Sequence, residues 1–582
     1  MFYQDSAAIP AINPHSSDTD PIGTASFQSE GKECHMNWMR CLCTLATAVS
    51  VFSATAPKWT VIGWNDLGMH CVDGKDYSVY SILPPYNTIH AHVIDTNGKL
   101  VRSGTNVQLT YEAVADPDGS VNRTSAGKTN FWTFVKTLYG AAVTADVGLT
   151  GSRMPGAANQ PQPMKFDPAF RWFTGEGIPI TPYDDKGIKN YYPMMRIKAK
   201  SAGRVVAQTD ITLPVSDEMD CSACHASGST STARPAAGWV FDSDSEKDYK
   251  RNVLRIHDER QQGNAVFQSA SQKLGFLPAG LSATVAAGRP VLCAACHGSN
   301  ALPGTGVSGI SPLTQAIHAR HANVPDPINM LTLESADNRS SCYRCHPGSV
   351  TRCLRGVMGN ATAADGSMVM QCQSCHGTMS QVGSKSRTGW LQEPSCQNCH
   401  TGNALQNNGQ IRYTSVFEAS GAPRQPVNRT FATNANVPAA GFDLYRFSKG
   451  HGGLQCEACH GSTHAEYPSS HRNDNLQSMA LQKYAGTLTE CTACHAQVPS
   501  TVSGGPHGMH PIGQSWVGRH GDAAEHGASA QCRACHGLDY RGTVLSKTSV
   551  DRTFQVEDRG TVRFAKGTAI GCYNCHNGPR GE

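Results

Sequence analysis

The chain has 582 residues, a length that suggests several domains at about 150 residues each. Charged residues make up only 16%, against roughly 25% in an average soluble protein, and a formal net charge of +4 is too weak to argue for nucleic acid as a partner. The outlying numbers are 23 cysteines and 24 histidines; a reducing cytosol seldom tolerates so many thiols unless something binds them.

Residues 1–35 are polar and patternless. Arg40 then flanks an apolar run from Cys41 to Phe52, and Ala54-Thr55-Ala56 is a small-x-small cleavage site before Pro57. This is the pattern of a secretory signal peptide over 36–56, with Met36 as the start and 1–35 as an upstream extension. The competing reading is a buried helix that opens a longer domain. The run is too short to span a bilayer, and no later stretch is apolar for long enough, so no membrane span is expected.

Residues 57–215 read as β-rich. WTVIGW, NVQLTYEAVA, MRIKAK and RVVAQTDITL are rich in β-branched residues and several alternate. Turn signals such as Thr96-Asn97-Gly98-Lys99 and Asp116-Pro117-Asp118-Gly119 separate them. A sandwich or small barrel is expected here. Met69-His70-Cys71, with His90 and His92 further on, resembles a metal-ligand set, and copper takes such donors. The usual blue-copper order, with Cys ahead of its partner His and Met, is not followed.

From residue 216 to 582 one short pattern, CxxCH, occurs nine times. The paired cysteines are Cys221/Cys224, Cys293/Cys296, Cys342/Cys345, Cys372/Cys375, Cys396/Cys399, Cys456/Cys459, Cys491/Cys494, Cys532/Cys535 and Cys572/Cys575. The histidines that follow them directly are His225, His297, His346, His376, His400, His460, His495, His536 and His576. This is the c-type haem attachment motif. Two thiols add across the two vinyl groups of haem, two intervening residues let both sulfurs reach one porphyrin edge, and the adjacent histidine lies under the iron as proximal ligand. Zinc ribbons also pair CxxC units, but zinc does not require a histidine after every pair. Nine redox-active CxxC units in one chain would make no mechanistic sense.

On these motifs the chain resembles an exported multihaem c-type cytochrome. The resemblance covers 216–582 and implies nine haem c groups. It fixes the cofactor more closely than the role, since electron carriers, outer-surface conduits, cytochrome filaments and a few multihaem reductases share such motifs. The expected fold is mixed: a β-rich, sandwich-like domain, then short helices and loops wrapped around stacked haems. Only 24 residues separate Cys372 from Cys396, so those two haems must share packing. A histidine-free insert over 408–442 reads as a surface excursion.

Thirteen further histidines follow residue 57, more than the nine needed to fill every sixth position. The candidate distal ligands are His70, His257, His318, His321, His451, His464, His471, His510, His520 and His526. Helical spacing sets His257 beside Val253 and Leu254, and sets His318 and His321 on one face, where they could ligate two neighbouring haems. His451 and His526 each lie shortly before a motif; His507 is too close to His510 for both to serve. His70, His90 and His92 remain open between capping a haem and a structural role. Cys71 and Cys353 are the two thiols left over in the mature chain, either one disulfide or two buried thiols.

Full bis-His ligation suits electron transfer and leaves no site for substrate. The expectation is therefore an electron conduit in the periplasm, on the outer-membrane surface or outside the cell. Its partners would be other redox proteins, cytochromes among them, and an extracellular or mineral acceptor. A longer haem chain built by oligomerisation is compatible with this, though nothing in the sequence shows it. The alternative is a reductase or oxidase with one open iron, acting on a small nitrogen, sulfur or oxyanion substrate. The CxxCK variant used by some such enzymes is absent.

Overall fold

The structure is a computed structural model that describes residues 58–219, 221–363, 365–386, 415–422, 445–499, 509–525 and 528–579. The signal-peptide segment, the Cys396–His400 motif, His507, His526 and most of the 408–442 insert lie outside the described residues.

Antiparallel sheets and short helices make up most of the regular structure among the described residues. The first strands are β1 (Thr60–Asn65), β2 (His70–Cys71), β3 (Tyr80–Ser81), β4 (Asn87–Ile94), β5 (Val107–Val114) and β6 (Gln162–Pro163). They are followed by β7 (Lys165–Asp167), β8 (Trp172–Ile178), β9 (Met194–Ser201), β10 (Arg204–Thr212) and β11 (Val215–Ser216). One four-stranded sheet has the order β1-β4-β8-β7 and a second the order β10-β9-β5-β6. β5 alternates as its sequence requires: Val107, Leu109, Tyr111 and Ala113 point inward and the residues between them do not. These side chains meet Ile89, Val93 and Ile178 of the other sheet, and Met195, Ile197 and Ala199 of their own, in one apolar core.

β1 and β4 break the alternation, because every residue in them is buried. One face looks into the shared core. The other, with Trp64, His90 and His92, is covered by the 445–495 segment through Leu454, Ala458 and Leu488. Gln477 locks this junction. Its Oε1 accepts from the Gly63 amide at 2.7 Å and the Thr209 hydroxyl at 2.8 Å, while its Nε2 donates to the Gly63 carbonyl at 2.8 Å. Thr209 and Gly63 belong to different sheets, so one side chain from the helical region ties both. The Asp66 carboxylate, just past β1, accepts from Arg446 at 3.0 Å. The described residues accordingly belong to one compact unit.

Beyond β11 the described residues form short helices and turns, with one antiparallel hairpin of Arg552–Val556 and Gly560–Phe564 near the end. The longest helix, Ser245–Gln261, is capped by Asp244, whose carboxylate accepts from the Glu246 and Lys247 amides. Helix Leu313–His321 buries none of its residues against protein. Helix Arg472–Gln482 is capped by His471 and carries Gln477. β11 pairs in parallel with β2, and one further contact joins the regions: Val291–Leu292 pairs in parallel with β3. Among the described residues no helix is long and apolar enough to cross a membrane.

Candidate functional site

Each described CxxCH motif forms a single helical or 3₁₀ turn. The histidine amide closes onto the first cysteine's carbonyl: His225 to Cys221 at 2.9 Å, His297 to Cys293 at 3.0 Å, His346 to Cys342 at 2.9 Å and His495 to Cys491 at 2.8 Å. Residues i, i+3 and i+4 of a helical turn share one face. The two thiols and the imidazole are therefore presented together, toward the same side.

That side is a cavity. A connected space of about 3210 Å³ is lined by thiols and imidazoles of the motifs at 221, 293, 342, 372, 456, 532 and 572; a single small-molecule pocket has about 300–1,000 Å³. In and beside it, histidines face each other in pairs. Ring centroids are 6.4 Å apart for His225 and His321, 6.4 Å for His297 and His257, 6.2 Å for His346 and His318, and 5.9 Å for His376 and His464. They are 6.1 Å apart for His495 and His451, 5.9 Å for His536 and His510, and 5.7 Å for His576 and His520. Every one of these pairs joins a motif histidine to a non-motif histidine. Two nitrogen–metal bonds of about 2 Å, plus about 1.1 Å from each nitrogen to its ring centre, place centroids about 6.2 Å apart. The spacing admits one metal ion between two imidazole nitrogens.

The outward nitrogens support this reading of the rings. Nδ1 meets a backbone carbonyl in His297 (Ser311, 2.9 Å), His318 (Thr314, 2.7 Å), His321 (Ile317, 2.7 Å) and His520 (Val517, 2.9 Å). The same holds for His510 (Pro511, 2.8 Å) and His536 (Ile570, 2.7 Å). A metal-bound imidazole donates its second N–H in this way, which fixes both the tautomer and the ring plane. Burial also holds His225, His346 and His464 at pKa values of about 4, so the rings are neutral and keep the lone pair that binds metal.

Of the candidate distal ligands, His257, His318, His321, His451, His464, His510 and His520 stand opposite motif histidines. His70 lines the cavity but places its Nε2 3.2 Å from the Pro84 carbonyl and packs its ring on Tyr86. His471 stacks on Tyr192 at 3.6 Å and accepts from the Asn473 amide. His460 lines the same cavity. Cys71 and Cys353 are free thiols; burial raises both, Cys353 to about 12, and the Cys353 sulfur lies 3.8 Å from His464 Nδ1. Among the described residues no three His, Cys, Asp or Glu side chains converge as a bare metal ion requires.

His90 and His92 belong to the junction. His90 stacks on Trp172 at 3.9 Å. His92 Nε2 accepts from the Gln455 amide at 3.0 Å, and its Nδ1 donates to the Arg171 carbonyl at 3.2 Å. A protonated ring could not accept from Gln455, and burial holds His92 at about 3 against an ordinary 6.5. The unfolded chain therefore takes up the proton first as pH falls. Stability from this group is complete above about 6.5 and drains between about 6.5 and about 3, by at most about 1.4 kcal/mol per pH unit. His92→Gln is expected to flatten the pH dependence of unfolding across that window; parallel curves for the two proteins would count against this account of the junction.

Neither the carbonyl anchors nor the role of His92 was legible beforehand. The helical carbonyls at Thr314 and Ile317 lie four residues before His318 and His321, a relation any helix supplies, so a signal existed there. The anchors of His510 and His520 are also local, at Pro511 and Val517, whereas those of His297 and His536 come from segments further along the chain. Comparison with family models, with curated proteins and with solved structures finds no match to the chain.

Proposed function

We propose that this chain is an exported multihaem c-type cytochrome that passes electrons through nine covalently attached haems, mostly ligated by two histidines. The observation that carries the reading is the set of seven facing imidazole pairs, each with one ring on a CxxCH turn, six of them lining one connected cavity. The residues fit the group. The paired motif thiols would hold the porphyrin, the motif imidazole and its facing partner would ligate the iron, and the apolar walls would enclose the macrocycle. Bound haem supplies a one-electron ferric/ferrous couple; the side chains hold it low-spin, exclude water and set its potential.

The chain's own residues suggest the order of transfer. Cys342 and Cys372 lie beside each other. Tyr80 lies within electrostatic reach of both Cys221 and Cys293, as Cys494 does of Cys459 and Cys532 of Cys572. Helix Leu313–His321 joins the 221 and 342 sites, because His321 faces His225 and His318 faces His346. His464, four residues beyond His460, faces His376 and so links the 456 and 372 sites. The route 293–221–342–372–456–491 follows, with 532 and 572 adjacent to each other.

Donor and acceptor on this reading are other redox proteins, cytochromes among them, and an extracellular or mineral acceptor. The location is the periplasm, the outer-membrane surface or beyond. The sheets over 57–215 form the sandwich-like part of the fold, and 216–582 wraps the haems. Optical and electron paramagnetic resonance spectra of the purified chain, with and without carbon monoxide, test the conduit. Low-spin spectra that ignore the gas are expected. A high-spin iron that binds it would favour a reductase or oxidase with one open site.

A further inference from the structure

Two turns of the paired sheets press directly on facing imidazole pairs. The first follows β1. The Leu67 carbonyl approaches the His464 ring, whose Nδ1 lies 3.8 Å from the Cys353 sulfur. Gly68, at φ +69°, lies so close to the next segment that a Cβ there would stand 1.7 Å from the Thr463 carbonyl oxygen, leaving room for glycine alone. His464 itself has φ 65°, a left-handed conformation uncommon outside glycine. It is held there by the Arg355 and Gly356 amides on its carbonyl, at 2.8 and 2.7 Å, and by its own amide on Glu466 at 2.9 Å.

The second is the tight turn after β4. Asp95 closes it by accepting from the Gly98 amide at 2.9 Å and donating to Lys99 at 2.8 Å. Gly98, at φ +70°, sits against the His495 ring: a Cβ there would be 2.4 Å from Nδ1. The opposite face of this pair is fastened to the same sheets. Around His451, Lys449 donates to the Ala169 carbonyl at 3.1 Å and the Gln455 amide donates to His92 at 3.0 Å.

We infer that the paired sheets are a ligand-positioning element. Their Gly68 and Gly98 turns fix the ring planes of His464 and His495, and so set the ligation and potential of the His376/His464 and His451/His495 sites. At most of the other pairs the Nδ1 anchors come from the helical region itself; at these two a separate fold supplies the contact. A ring whose edge is pressed by rigid backbone is restrained from rotating about the metal bond or tilting away from it. The inference rests on the haem reading above, and it gives the sheets a function within that reading.

The test compares Gly98→Ala with Gly119→Ala in the haem-loaded secreted chain. Gly119, at φ +81° in the turn after β5, has nothing within 4 Å of a built Cβ. Both substitutions carry the same left-handed strain, but only the first pushes on an imidazole. Gly98→Ala is expected to convert one haem equivalent in nine to a high-spin, carbon-monoxide-binding form, and Gly119→Ala none. A third variant, Asn97→Gly, frees the turn without adding an atom near the ring. It is expected to broaden one low-spin resonance signal and leave the fold intact. Gly98→Ala with the same spectrum as Gly119→Ala, or Asn97→Gly with the wild-type signal, would overturn the proposal. A colourless chain would instead remove the haem reading on which it stands.

Discussion

Replacing His318 and His321 together by alanine is expected to leave two irons with one imidazole each. Both rings project from helix Leu313–His321, one facing His346 at 6.2 Å and the other His225 at 6.4 Å. Both are anchored at Nδ1 by the helix itself. The helix buries no side chain against protein, and alanine is the best helix former, so the substitution acts on the sites and leaves the helix in place. The signature is two haem equivalents of high-spin iron that bind carbon monoxide. An iron that changes coordination with oxidation state reorganises more, and transfer between the 221 and 342 sites should slow on the order of tenfold, equal to about 1.4 kcal/mol of barrier. Rapid-mixing reduction followed by absorbance reads this. An unchanged low-spin spectrum would show that these histidines are not ligands.

The largest stability effect is expected at Arg355. Its Nε and Nη2 meet the Asp474 carboxylate at 2.7 and 2.9 Å, and the two side chains are 1% and 4% exposed. The guanidinium also lies 5.0 Å from the centre of the Tyr192 ring. Removing one partner of a buried pair strands the other charge, at a cost of about 3–5 kcal/mol. Asp474 would keep the Ser469 hydroxyl at 2.7 Å, too little to replace a bidentate cation. Arg355→Ala should therefore lower the denaturation midpoint sharply. Arg355→Leu combined with Asp474→Leu should recover much of the loss, because replacing both partners leaves no unpaired charge. A loss below about 1 kcal/mol in the single variant would place the pair among exposed ion pairs.

What could be read in the sequence follows from how local each signal is. The CxxCH turns were legible because thioether chemistry and the i, i+3, i+4 geometry of one turn demand the same spacing. His318 and His321 were legible because a helix puts i and i+3 on one face. His464 and His471 could not be told apart. They lie seven residues apart in equally polar surroundings, yet one occupies a left-handed position facing His376 and the other caps a helix against Tyr192. That difference is made by Leu67, Arg355 and Tyr192, far away in the chain. The alternation of β5 announced a half-buried strand. In β4 the same alternation sets His90 and His92 on the face that would ordinarily be wet, and only the 445–495 segment covering it makes them buried. The remaining ambiguity, which histidine faces which, is nonlocal in the same sense: His225 and His321 are brought together only by the folded cavity.

The most direct measurement is the intact mass of the secreted chain, paired with a haem-to-protein ratio from the alkaline pyridine spectrum. The account predicts nine haem additions on one polypeptide, with each pair of motif thiols consumed and Cys71 and Cys353 outside the count. A mass equal to the bare polypeptide, or thiols that bind zinc and carry no porphyrin, would contradict it.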